Sequence, residues 1–156
     1  MIAQRRPLDV VLAIAVLALA ACASDPVRDP GREPATVGER AVAAALDQVG
    51  TPYRYGGNTP QGFDCSGLVH YAYRQAGRSV PRTTAQLWSA SRTVGRQELE
   101  AGDLLFFSIE GKMSHVGMYV GGKRFVHSPQ SGRTVEVTSM DMPFYRKALV
   151  RAARLY

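Results

Sequence analysis

The sequence predicts an α+β fold, with N-terminal helices packed on an antiparallel β-sheet. Two observations carry this. Helical periodicity and helix-capping residues occupy the chain through Trp88, and short apolar runs of strand character occupy it from Gly102 onward. Helices first and strands afterwards is the order of an α+β domain, whereas alternation would argue for a parallel sheet.

Taken in order, residues 1–21 read as a targeting segment. Arg5 and Arg6 form a positive n-region, and Val10 to Ala20 is an apolar core of 11 residues, short for a bilayer span. The segment closes in Leu19-Ala20-Ala21-Cys22, which resembles the lipobox of bacterial lipoproteins. The resemblance implies cleavage before Cys22 and lipidation of its thiol; an ordinary secretory signal cut after Ala21, or a retained anchor, is the alternative. Ala23 stands where an aspartate would, by the same resemblance, favour inner-membrane retention. The expected location is therefore the outer membrane, facing the periplasm. Residues 22–36 read as a tether, with Pro26, Pro30, Pro34 and Gly31 in an aperiodic polar run. Proline-rich chain extends about 3.1 Å per residue, so the leash reaches roughly 40 Å. Of the two cysteines, Cys22 sits at the processing site and Cys65 inside the domain, and no disulfide is expected.

The domain proper is residues 37–156. Thr36-Val37-Gly38-Glu39 fits a capping box. Val42, Leu46 and Val49 then form the apolar stripe of a helix closed by Gly50 and Pro52. Tyr53-Arg54-Tyr55-Gly56-Gly57 is either an ordinary loop or one whose aromatic hydroxyl reaches a cleft. Leu68, Ala72 and Ala76 mark a second helix, N-capped by Asp64 and ended by Gly77. Val80-Pro81-Arg82-Thr83-Thr84 is a turn in which Thr83 or Thr84 caps a short helix through Gln86, Leu87 and Trp88. Arg82, beside a proline-fixed turn, presents a guanidinium to an acidic ligand or simply to solvent. Asp103 to Phe107 reads as a buried strand, and His115–Val120 with Arg124–His127 as a hairpin. Val135–Val137 and Leu149–Leu155 read as two further strands.

Cys65 falls in the first turn of the second helix. There, unpaired N–H groups and the helix dipole favour a thiolate, with an expected pKa of about 3.5–7.5 against about 8.5 for a free cysteine. A buried cap residue is the plain alternative. The hairpin bears on the choice. A three-residue loop, Gly121 to Lys123, pairs Gly117 with His127 and so puts His115 and His127 on one face; a strict two-residue loop puts them on opposite faces. With a cysteine at a helix start, two imidazoles aimed at one point follow the logic of nucleophile, base and orienting group. His70, about 140° around its helix from Cys65, is assigned no role.

Four ordered motifs now stand together: Phe-Asp-Cys-Ser-Gly-Leu-Val, Gly-Asp-Leu-Leu-Phe-Phe, His-Val-Gly-Met-Tyr-Val-Gly and Phe-Val-His. Over about residues 38–156 the chain resembles the NlpC-type (p-sixty) family of bacterial cell-wall cysteine peptidases, most of all its small Gram-negative lipoproteins. The resemblance implies a papain-like α+β fold, hydrolysis of peptidoglycan stem peptides and an active enzyme. It implies Cys65 as nucleophile, His115 as general base and His127 as the residue orienting His115. It implies that Tyr53 lines the cleft and assists the oxyanion hole, that Asp64 and Ser66 hold the amino end of the stem peptide, and that Arg82 belongs to the same turn motif. No extra wall-binding domain is expected. The bond cut is either D-glutamyl–diaminopimelate or diaminopimelate–D-alanine.

The net charge of +6 is scattered, with no dense Lys/Arg run. It argues for attraction to an anionic surface and against nucleic-acid recognition. No cofactor and no metal are expected, and the domain is expected to be a monomer. The rival readings are a zinc site from Cys65, His115 and His127, a silent wall-binding module, and an acyltransferase or amidase using the same three residues.

Overall fold

The computed structural model describes residues 35–155. The expected targeting segment, Cys22 and the tether up to residue 34 lie outside the described residues. Helix α1 (Val37–Leu46) begins in the expected capping box: the Thr36 hydroxyl accepts from the Glu39 N–H, and the Glu39 carboxylate accepts from the Thr36 N–H. It ends one turn earlier than the apolar stripe suggested. Residues 47–50 form a turn, so Leu46 and Val49 are exposed, and the buried face is Ala41, Val42 and Ala45. Small residues suffice there because α1 lies closely against α2 (Cys65–Gln75).

Between these helices a two-stranded ribbon, β1 (Asn58–Thr59) with β2 (Gly62–Phe63), leads into α2. Asp64 caps α2 by accepting from the Gly67 N–H at 2.6 Å, and Gly77 follows at φ 83°. Helix α3 (Thr84–Ala90) has Thr83 as N-cap, in a reciprocal box with Gln86.

The remainder is one antiparallel sheet. Its strands are β3 (Arg92–Thr93), β4 (Leu104–Ile109), β5 (Lys112–Gly121), β6 (Arg124–His127), β7 (Glu136–Ser139) and β8 (Leu149–Arg154), in spatial order β3-β8-β4-β5-β6-β7. A short helix, α4 (Pro143–Ala148), precedes β8 and has no counterpart in the expectations from sequence. Period-two alternation gives the sheet two apolar faces. Leu104, Phe106, Val116, Met118 and Val126 pack against α1, α2 and α3. Leu105, Phe107, Phe125 and Tyr145 form a second cluster on the other face.

The β5–β6 connection differs from expectation in a way that matters. Gly121 pairs with Arg124, so the turn has two residues, Gly122 and Lys123, both at φ 57°. That is the φ > 0 requirement of a primed turn, which glycine meets freely. Val120 is an extra, unpaired residue on β5, and this bulge restores the pairing of Tyr119 with Phe125 and Met118 with Val126. A two-residue turn alone would have thrown the histidines to opposite faces; turn plus bulge returns them to one.

Candidate active site

His115 lies on β5 and His127 on β6, both buried, with Nε2 of His115 and Nδ1 of His127 hydrogen-bonded at 2.8 Å. The two rings meet nearly edge to face. Gly117 makes room beside them: a Cβ there would come within 2.6 Å of the Phe125 ring. Phe107, Phe125 and Tyr145 line the apolar wall, Tyr145 standing at 90° to the His127 ring.

Cys65 approaches from the helix side. Its sulfur sits against the peptide groups that flank His115: Sγ is 3.8 Å from the Ser114 carbonyl oxygen, and the Val116 N–H also acts on it. The hydroxyl of Thr84, on α3, is 3.7 Å away. Sγ is hydrogen-bonded to neither imidazole nitrogen; its neighbours are Thr84, Ser114 and Val116. A buried hydroxyl ties the two halves of the site together: Ser128, next to His127, donates to the Phe63 carbonyl at 2.7 Å, two residues before Cys65.

The expected resting thiolate is corrected by the structure. Burial pushes the Cys65 thiol up, and this outweighs the opposing pull of Thr84 and of the Val116 and Ser66 N–H groups. Burial pushes His115 down to about 3, with His127 adding to the effect. Burial, and then the nearby Arg133 charge, push His127 down to about 3. The site at neutral pH therefore holds a thiol and two neutral imidazoles.

Tyr53 is placed beside Cys65 by backbone bonds, its N–H to the Arg133 carbonyl and a bridge to Phe63. Burial above all, with nearby Asp64 adding to it, raises its phenol, which keeps it a donor. Tyr53, Tyr55, Asp64, Cys65, Ser66, Arg82, Thr84 and Ser114 line one recess. Arg82 lines this recess with its guanidinium engaged inside the protein. Arg82 donates to both Asp64 oxygens, at 2.9 and 2.7 Å, to Ser66 Oγ at 3.0 Å and to the Gly57 carbonyl. Asp64, Ser66 and Arg82 are thus brought together as one cluster that also fixes the Gly56–Gly57 loop through the Gly56 N–H. His70, as expected, is elsewhere, against the Val80 carbonyl.

The sequence reading missed three groups around His127. Glu136 Oε1 and Thr138 Oγ1 lie 3.4 and 3.3 Å from its Nε2, and Arg133 pairs with both oxygens of Glu136. A second recess opens past His115, between Pro129, Gln130, Arg133, Met142 and Phe144. Among the described residues, no group of three or more His, Cys, Asp or Glu side chains is arranged to hold a metal ion. The facing nitrogens of His115 and His127 are engaged with each other.

Residues 50–154 match the model of the NlpC/P60 family. The chain is 39% identical over 121 residues to the murein DD-endopeptidase MepH of Escherichia coli, covering 74% of this chain and 45% of that protein. It is 38% identical over 111 residues to the gamma-D-glutamyl-L-lysine dipeptidyl-peptidase of Bacillus subtilis, covering 69% and 38%. The chain thus spans less than half the length of either. An NlpC/P60 protein of known structure from Bacillus cereus superposes with a TM-score of 0.72 at 31% identity, over 78% of this chain and 41% of that one.

Proposed function

The chain belongs to the NlpC/P60 family, and from that premise we propose that it is a peptidoglycan endopeptidase working through a Cys65 thioester. The observation that carries the reading is a free thiol at a helix N-terminus lying against the Ser114 carbonyl, next in the chain to His115, whose ring is backed by His127. A related acyl-transfer activity would use the same groups, and product analysis on defined muropeptides separates the two.

The chemistry follows from the neutral site. Cys65 attacks the scissile carbonyl while neutral His115 takes the thiol proton, which requires Sγ and the ring to close to hydrogen-bond reach in the reacting complex. The oxyanion faces the N–H groups at the start of α2 and the Tyr53 hydroxyl. Protonated His115 then gives its proton to the leaving amine, and the amine departs. In the second half His115 takes a proton from water, hydroxide opens the thioester, and the thiol is restored. His127 accepts the Nε2–H of His115 throughout, holding the ring and supporting its charged form. Asp64 and Ser66 form the wall of the recess and are the groups proposed to meet the amino end of the stem peptide, with Arg82 holding both beside it. The Cys22 lipid anchor and the outer-membrane location complete the proposal; the Leu19–Cys22 motif and the charged n-region support them.

Digestion of purified murein sacculi tests the reading. Wild-type protein should release muropeptides cut within or between stems, and Cys65→Ala should release none while keeping its circular dichroism spectrum. Full activity in Cys65→Ala would refute the assignment.

A further inference from the structure

We propose that Glu136 is a positioning residue for both imidazoles: its carboxylate fixes the tautomer of each ring, so that Nδ1 of His115 bears the lone pair that receives the thiol proton. The proposal rests on the peptidase reading of the site.

Glu136 is the cross-strand partner of His127 in the β6–β7 ladder, so the two share a sheet face. The direction of each hydrogen bond then follows from one fact, that a carboxylate only accepts. Thr138 Oγ1 donates to Glu136 Oε1 at 3.2 Å. Its proton is committed there, so it turns a lone pair toward His127 Nε2, 3.3 Å away. The other neighbour of that Nε2 is the Glu136 oxygen itself, at 3.4 Å. With acceptors on both sides, Nε2 of His127 carries the hydrogen. A neutral imidazole has one N–H, so Nδ1 of His127 is the acceptor. Nε2 of His115, 2.8 Å from it, must then be the donor. That leaves the lone pair on Nδ1 of His115. Nδ1 is the ring nitrogen nearest the backbone, and the backbone on either side of His115 is where the Cys65 sulfur lies.

Arg133 decides whether Glu136 acts through charge or through direction. It pairs with both carboxylate oxygens, at 2.8 and 2.7 Å, so the charge beside His127 is offset while the acceptor remains. The titratable or charged groups that face the two rings are Tyr145 from α4, Glu136 from β7 and Arg133 from the loop before it, while Cys65 of α2 lies at the Ser114 carbonyl beside them. Without Glu136, the Thr138 proton is free to point at His127 Nε2. Both tautomers can then invert, and Nδ1 of His115 would carry a hydrogen where an acceptor is needed.

The test uses the full chain, labelled with ¹⁵N at histidine, in detergent. Wild type should show both rings as the Nε2–H form near neutral pH. In Glu136→Ala both should move toward Nδ1–H. In the same variant kcat on muropeptides should fall on the order of tenfold or more with KM little changed, well short of the ~10⁴ seen when a direct orienting acid is lost. Arg133→Ala should keep the tautomers and move the acid limb of the pH–rate profile upward, because the carboxylate beside His127 is no longer offset. Thr138→Val should keep the tautomers, since Glu136 alone still accepts, and it decides the matter if Glu136→Ala does not fold. Unchanged tautomers or unchanged kcat in Glu136→Ala, inverted tautomers in Thr138→Val, or loss of the Nε2–H forms in Arg133→Ala would each overturn the proposal. A wild-type chain that hydrolyses nothing yet shows tautomers lost in Glu136→Ala would sink the peptidase reading and leave the assignment of Glu136 to the rings standing.

Discussion

Burial holds Cys65 as a thiol, and that fixes how it should respond to pH. Its acidity is set by burial more than by the helix start, so its thiolate fraction grows only above the ordinary thiol range. Alkylation of Cys65 by iodoacetamide should therefore rise steeply from pH 7 to pH 10, by about tenfold per unit below the thiol pKa. A rate already on its plateau at pH 6 would mean a preformed thiolate and would contradict this electrostatic picture. The sign is the reverse of what the helix position alone suggested. Dipole and unpaired N–H groups can be read from sequence because they are local; the walls that remove water from the sulfur, Thr84 and the Ser114–Val116 strand, come from elsewhere in the chain. Glu136 and Thr138 were hidden for the same reason. Each is an unremarked polar residue until the register of β7 against β6 sets it beside His127.

At the scale of elements, the site depends on how closely α2 can approach the Gly56–Gly57 loop. Gly67 is the point of contact: a Cβ there would collide with the Gly57 carbonyl oxygen and come within 2.9 Å of Asp64 Oδ1. Alanine has the better helix propensity by about 1 kcal/mol. Here the clash is with backbone and outweighs that gain, so Gly67→Ala should destabilise by about 1–3 kcal/mol and lower kcat by displacing Cys65. Thermal melting checks the first, and an unchanged or raised melting temperature would show that the loop yields freely. The elements themselves were largely legible. The α2 and α3 caps depend on neighbours three residues apart, and the strand that opens at Leu104 announces itself as a short apolar run. Helix α4 was not legible, being six residues long and opening at Pro143. The end of α1 was overrun because Leu46 and Val49 keep helical spacing while standing exposed. The hairpin was right in its outcome and wrong in its route, since a bulge at Val120 and an extra loop residue have the same effect on register.

For the whole molecule, the charge and the leader bear on where the domain works. The positive charges are dispersed, which supports the proposed place near a carboxylate-bearing wall. Replacing Cys22 by serine should move the protein from the membrane fraction to the soluble envelope fraction without changing its activity on isolated murein; a Cys22→Ser product that stays membrane-bound and lipid-labelled would remove the anchor from the proposal. Helices first and sheet second was correct for the molecule as a whole, and it has a further effect. The sulfur comes from the first half of the chain and both rings from the second, and the Ser128–Phe63 bond is one of several ties between them, with the backbone bonds of Gly50, Thr51 and Tyr53 to Arg133 and Val135. On the proposed function, a polypeptide cut between residues 91 and 103 carries half of the site on either piece and the whole of it on neither. Two inert fragments, expressed apart and brought together by fused partners, would make a switchable tool for opening the wall on command.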